Sequence, residues 1–292
     1  MSEKRELVID MQLVNFNGEI IPADSNIISI HNRSFRYGDG LFESMRCNKN
    51  GINFMESHVR RLLLGLEAMK MSIPDNFTPE YVSDQVSRLY GEHKMTEDAR
   101  VRFKVYRNDG GLYVPSTNEF SYLIEITELD EPGYVLNESG LHIGIYKKMK
   151  KPVNALSNFK TANALLFVMA GIYKDENNWD ECLIVNERDE IIEAISCNMF
   201  MVSDEVLITP ALSSGCVAGV MREAMIRIAG QHDIVVVERN VSLSDIKSAD
   251  ELFLTNASVG IKWVGQLGIT KYDNNLAAML SRSLENNIEL VR

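Results

Sequence analysis

Lys160 is the one charged residue in "LSNFKTANALLFVMAG" (residues 156–171), a run otherwise apolar or small. Burial or a neighbouring cation depresses the pKa of such an amine and makes it nucleophilic, suited to a Schiff base with an aldehyde. If that aldehyde belongs to a phosphorylated pyridine, the chain must also supply fixed donors for the phosphate. It must supply a carboxylate as well, to keep the ring nitrogen protonated as an electron sink. For the phosphate, "SGCVAGVMREAM" sets Gly219 just before an expected helix, leaving the N–H groups of Val220 and Met221 free to face an anion. Arg61, beside Arg60 in "ESHVRRLLLG", offers a bidentate clamp, and only one of two adjacent arginines on a helix can face a site. Glu193 closes the strand "EIIEA" just before the small polar run "ISCN", where functional side chains commonly stand.

These residues need elements to hold them. Residues 13–35 alternate short apolar runs with Asn-Gly and Pro-Ala-Asp punctuation, and 37–55 continue in the same style with a hairpin turn at Asn50-Gly51. Val59, Leu62, Leu63, Leu66 and Met69 fall on one face of a helix over 57–72, and a second helix over 78–93 opens with Thr78 as cap and Pro79 at its first position. Strands are expected at 99–109 and 120–129, and a turn-rich linker at 131–140. Beyond it we expect a strand at 141–147 and a helix at 161–176, with Lys160 at the helix start. Hairpins turn at Asn186 to Asp189 and at Ser203-Asp204. A helix over 219–232, a strand over 233–239, a short helix over 243–249, a strand over 251–257 and a closing helix over 276–290 follow. The fold class is therefore α+β, mostly antiparallel, in two domains: 1–130, and 141–292 carrying Lys160.

Composition narrows the partners. A net charge of -11 argues against a nucleic-acid or acidic-membrane binder, since phosphate backbones are met by clustered Lys and Arg. No stretch approaches a membrane span, and "MSEKRELVID" lacks the apolar core of a signal peptide, so a cytoplasmic protein is expected. Cys47, Cys182, Cys197 and Cys216 are scattered without a nearby His, which suggests free thiols and no metal site. His31, His58, His93, His142 and His232 sit in no triad setting, and no GxGxxG, P-loop or HExxH occurs.

In order and spacing these blocks resemble the class IV (fold-type IV) pyridoxal-phosphate enzymes, the group of branched-chain aminotransferases, D-amino acid transaminases and aminodeoxychorismate lyases. "NRSFRYGDGLFESMR", "SHVRRL", "SNFKTAN", "IIEAISCNMFMV" and "AGVMRE" carry the resemblance, which runs from about Val14 to Val264. It implies a D-amino acid aminotransferase-like fold, pyridoxal 5'-phosphate as cofactor, and a homodimer with the cofactor between the domains. Lys160 becomes the Schiff-base lysine and the base for the substrate's α-proton. Arg61, Val220 and Met221 become phosphate ligands, Glu193 the partner of the ring nitrogen, and Asn198 a cofactor-site residue. Arg107 stands where several members receive a substrate carboxylate, and Tyr37 and Phe42 look like pocket residues. The chain departs from the aminotransferases at "TNASVGIKWV", where Ala257 replaces a phosphate-binding threonine, leaving Asn256 and Ser258 as substitutes. That departure leans toward the lyases. The resemblance thus implies an aminotransferase acting on an amino acid, with a branched-chain one as a candidate, and a 2-oxo acid; the alternative is 4-amino-4-deoxychorismate lyase. A non-catalytic homologue would need none of Lys160, Arg61 and Glu193.

Overall fold

The computed structural model describes residues 12–287. Residues 1–11, and the end of the closing helix expected to reach 290, lie outside them. The first part of the chain runs β1 (Leu13–Phe16), β2 (Glu19–Pro22), α1 (Arg33–Tyr37), β3 (Gly40–Asn48), β4 (Gly51–Ile52), α2 (Met55–Ala68), α3 (Pro79–Glu92), β5 (Ala99–Arg107) and β6 (Phe120–Glu128). Its strands form one antiparallel sheet in the order β2-β1-β6-β5-β3-β4. Strand alternation sorts the side chains. On β5, Val101, Phe103 and Val105 are buried in the core that includes Leu62 and Leu66 of α2 and Val82 and Val86 of α3, while Arg100 and Arg102 are exposed on the opposite face. Thr78 caps α3 as expected, accepting from the Tyr81 N–H at 3.3 Å.

The remainder runs β7 (Leu141–Lys151), α4 (Leu165–Glu176), β8 (Glu181–Asn186), β9 (Ile191–Ala194), β10 (Asn198–Ser203), β11 (Val206–Pro210), α5 (Val220–Gln231), β12 (Val236–Arg239), α6 (Leu243–Ser248), β13 (Glu251–Asn256), β14 (Gly260–Leu267), β15 (Thr270–Lys271) and α7 (Asn275–Asn287). The sheet order is β12-β11-β10-β13-β14-β7-β8-β9, with β15 on β14. It curls into a half-barrel, bringing β9 against β10 and β11. The Ala194 N–H, donating to the Cys197 carbonyl at 2.7 Å, ties the end of β9 to the start of β10. Most pairings are antiparallel, but β7 pairs in parallel with both β8 and β14, and β11 with β12.

Three local expectations are corrected. Residues 33–37 form a helix where strand was expected: Asn32 caps it by accepting from the Phe35 N–H, and Gly38 closes it at φ 69, a left-handed conformation that suits glycine. Residues 260–267, for which the sequence signals no element, form β14. Lys160 does not start a helix, because α4 begins at Leu165. Its segment is extended and bonded to β3: the Phe42 N–H donates to the Lys160 carbonyl at 2.9 Å and the Ala162 N–H to the Gly40 carbonyl at 2.8 Å. The lysine is thus held by an anchor on the first sheet and never meets the helix dipole.

Candidate active site

Lys160 lies on the wall of a cavity of about 730 Å³ bounded by both sheets. Of the residues singled out from sequence, Phe42, Arg61, Glu193, Asn198, Val220, Met221, Asn256 and Ser258 line the same cavity. The Lys160 ammonium is half-buried and stands 4.7 Å from the Phe42 ring centroid. Burial, and then the positive charge of Arg61, bring its pKa down to about 8, although Glu43, Glu193 and Cys197 pull the other way.

Arg61 is fixed from beneath. Its Nε donates to Glu43 Oε1 at 2.8 Å, its Nη2 to Glu43 Oε2, and its Nη1 to the Ala218 carbonyl at 2.8 Å. Strand alternation turns Glu43 away from Phe42 and Ser44 and toward α2, where His58 Nδ1 lies 2.7 Å from its Oε2. Burial pushes the Glu43 carboxyl up, but Arg61 and His58 more than offset it and hold it at about 2. Burial also lowers the His58 pKa, so a neutral imidazole donates to the carboxylate.

At the other end, Glu193 is 3% exposed. Its Oε2 accepts from the Val217 N–H at 2.8 Å and its Oε1 from Lys151 Nζ at 2.6 Å. Between these ends α5 presents its N-terminus with no side-chain cap, so the first N–H groups lack an intrahelical partner. Gly219 lies so close to Asn198 that an added Cβ would meet Asn198 Oδ1 at 1.7 Å, while Asn198 Nδ2 donates to the Val217 carbonyl at 2.8 Å. Asn198 therefore shapes the loop that leads into the helix.

The turn after β13 completes the wall. Asn256 Oδ1 accepts from the Ser258 and Val259 N–H groups, both at 2.9 Å, so its oxygen builds the turn. Arg46 from the first sheet donates to the Ser258 carbonyl at 2.7 Å and Tyr134 to the Ala257 carbonyl at 2.9 Å, fixing the turn from outside.

Arg107 and Tyr37 are placed elsewhere, on a separate cavity of about 300 Å³. The Arg107 guanidinium is buried and engaged by Asp39 at 3.0 Å, Asn118 at 2.6 Å and the Met69 carbonyl at 2.6 Å. Tyr37 lies under the Arg33 guanidinium, 5.1 Å from ring centroid to Cζ. On the first sheet the cations lining the Lys160 cavity are Arg100 and Arg102, the latter 4.3 Å from the centroid of the same Phe42 ring that Lys160 approaches. The sequence reading missed both, although "ARVRFKV" alternates cations with apolar residues and so puts them on one strand face. It also missed Lys151, hidden in the run "KKMKK", and gave no role to Glu43 inside the "YGDGLFE" block.

The model of the amino-transferase class IV family matches residues 40–266. This chain belongs to that family. Its members are enzymes, pyridoxal-phosphate-dependent aminotransferases and lyases. Among its relatives, a putative branched-chain-amino-acid aminotransferase of Methanocaldococcus jannaschii is 25% identical over 280 residues, covering 96% of each chain. An aminodeoxychorismate lyase of Vibrio harveyi is 27% identical over 267 residues, 89% of this chain and 95% of the relative. The fold matches that of a branched-chain aminotransferase from the thermophilic archaeon Thermoproteus uzoniensis, solved with norvaline, with a TM-score of 0.86 at 20% identity over 95% of each chain. Among the described residues no helix is long and apolar enough to cross a membrane.

Proposed function

We propose that this family member is a pyridoxal 5'-phosphate-dependent aminotransferase, moving an amino group between an amino acid and a 2-oxo acid with Lys160 as its catalytic residue. The observation that carries this reading is a Lys160 amine brought down to about 8 in one cavity with an anion cradle and a buried carboxylate. The residues fit the cofactor. A guanidinium has five N–H donors, and Glu43 and Ala218 engage Arg61 through one on each nitrogen, leaving the second proton of Nη1 and of Nη2 for an anion. Val220 and Met221 would add the N–H groups at the α5 N-terminus. Glu193 keeps acceptor capacity beyond its two present donors for a ring nitrogen.

When bound, the cofactor supplies an aldehyde for the amino group and a protonated ring that takes up the electron pair left at the substrate's α-carbon. The chain's residues do the rest. With a pKa near 8, the Lys160 amine is populated in both protonation states near neutrality, so it can take the α-proton and return it at the acceptor position. Arg100 and Arg102 receive the substrate carboxylate. Phe159, Leu166, Phe167 and Ile195 line the cavity and suit a branched-chain side chain. Free Cys47, Cys182, Cys197 and Cys216 favour a reducing, cytoplasmic setting. We also read 1–130 and 141–292 as two domains joined by 131–140, and the working form as a homodimer.

The lyase alternative, release of pyruvate and 4-aminobenzoate from 4-amino-4-deoxychorismate, is supported by Ala257 and by two arginines able to meet two carboxylates. An absorbance spectrum decides. Purified protein given pyridoxal 5'-phosphate is expected to show a cofactor band, which borohydride treatment of a separate sample should fix covalently to the chain at Lys160 and not in Lys160→Ala. Separate additions of L-glutamate, a branched-chain L-amino acid and a D-amino acid should then shift the band toward the pyridoxamine form with one donor. Pyruvate and 4-aminobenzoate appearing from aminodeoxychorismate would make the enzyme a lyase. No band, or a borohydride-fixed adduct that Lys160→Ala forms equally, would sink the assignment.

A further inference from the structure

Lys151 belongs to a run of cations, "KKMKK", that reads as a solvated strand end. The structure separates it from its neighbours. Residues 147–150 are all exposed, and the pairing of β7 with β8 shifts register between Tyr146 and Lys151. The extra residues bulge outward, and Lys151 returns to the sheet opposite the buried Asn186. Its side chain is 12% exposed. The ammonium donates to Glu193 Oε1 at 2.6 Å and to the Ser157 carbonyl at 3.1 Å, and stands 5.6 Å from the Phe167 ring centroid. A carboxylate, a carbonyl and an aromatic face thus enclose a cation that the chemistry derived above does not use.

The other half of the contact explains the arrangement. A carboxylate 3% exposed is costly unless paired and hydrogen-bonded. Glu193 has one backbone donor, Val217, and one cation, Lys151, each on a different oxygen. With both oxygens held, its carboxylate plane cannot rotate without breaking a bond. Lys151 in turn is held by Ser157, three residues before Lys160, so the segment carrying the reactive amine and the carboxylate at the far end of the cavity share one fastener.

We propose that Lys151 is a positioning residue: it fixes the Glu193 carboxylate in the orientation in which Glu193 holds the cofactor's ring nitrogen. This rests on the pyridoxal-phosphate reading, and the test separates the two. Affinity for pyridoxal 5'-phosphate is measured by absorbance titration of the cofactor-free protein, and ring-nitrogen protonation by the nitrogen-15 resonance of ring-labelled cofactor. Lys151→Met should weaken binding by about ten- to a hundredfold, as removing the orienting partner of a ligand does. It should also move the resonance toward the unprotonated position and lower kcat with little change in KM. Lys151→Arg should restore most of each loss, which a general packing role would not predict.

Lys151→Met leaves a buried carboxylate unpaired and can unfold the chain, so the cycle with Glu193→Gln is decisive. In the Glu193→Gln background, loss of Lys151 should cost no more than about twofold, because its partner charge is already gone. An undiminished cost there would overturn the proposal, as would a folded Lys151→Met with wild-type affinity and resonance. Wild-type protein that takes up no pyridoxal 5'-phosphate would overturn the underlying reading and this inference with it.

Discussion

Lys160 and Arg61 are like charges in one cavity, and the fold resolves the conflict at the lysine. Arg61 is neutralised by Glu43 beneath it, and Glu43 in turn is shared with a neutral His58. Burial first, and then the positive charge of Arg61, disfavour the charged amine, so the lysine is the group that yields. The direction of the shift sets a measurable consequence. Below about 8 the charged amine predominates and the neutral fraction falls with pH; above it the neutral nucleophile dominates. Capture of pyridoxal 5'-phosphate by the cofactor-free protein should rise about tenfold per pH unit up to pH 8 and then level off, as expected for a free-amine nucleophile. An ordinary lysine would keep gaining toward 10.5. The folded pKa lies below the unfolded one, so the fold disfavours the charged form. Relative to Lys160→Met, the cofactor-free chain should lose stability as pH falls from 10.5 toward 8, and the deficit, of order 1 kcal/mol after allowing for solvent screening, should persist below that. Stopped-flow capture and thermal melts across pH check both; a capture profile still climbing at about pH 10 would contradict the site geometry.

At the scale of elements, the cavity depends on where two segments are placed: the uncapped start of α5 and the extended strip through Lys160. Gly219→Ala tests the first. Its Cβ would meet Asn198 Oδ1 at 1.7 Å, and Asn198 is tied to the Val217 carbonyl, so the loop before the helix must shift. Affinity for pyridoxal 5'-phosphate should fall about tenfold or more, while the helix keeps its length because alanine favours it over glycine. Equal affinity by titration would remove α5 from the phosphate site. The helix itself was legible in sequence, since Gly219 and the apolar spacing behind it are local signals. So were α2, α3 and the β8–β9 and β10–β11 hairpins, where period and turn residues agree. The strip through Lys160 was not, because its backbone partner is β3, more than a hundred residues earlier. β14 was hidden for a different reason: although it forms hairpins with its neighbours β13 and β15, "GIKWVGQL" shows no clean alternation, and only the parallel β7 is a distant partner. Distance along the chain also hid the partners of Arg107, Asp39 and Met69, which come from distant segments. The family position marked a carboxylate receptor at Arg107; its contacts within one chain come from residues that position does not reveal.

For the whole molecule the informative surface is α4. Leu166, Phe167, Ala170 and Tyr173 pack inward, while Leu165, Val168, Met169 and Ile172 are exposed at 65%, 55%, 38% and 48%. Their spacing makes one continuous apolar stripe on the outside of the helix whose inner side lines the cavity. Scattered apolar residues on a surface need no explanation, but a contiguous stripe marks a contact site. In the homodimer proposed above, a second copy of the chain would cover this stripe, since a two-fold interface uses the same patch on both subunits. In such an interface each substitution enters twice, and a buried carboxylate without a partner costs several kcal/mol per copy. Val168→Glu combined with Ile172→Glu should therefore convert a dimer of twice the chain mass into monomer, read by light scattering on a sizing column. The same variant should keep its melting cooperativity, since neither side chain contributes to the core of one chain. Turnover should fall with the dimer, because Leu166 and Phe167 sit on the opposite side of the same helix and line the site. A wild-type monomer at micromolar concentration, or a double variant that remains dimeric, would place the contact between subunits elsewhere.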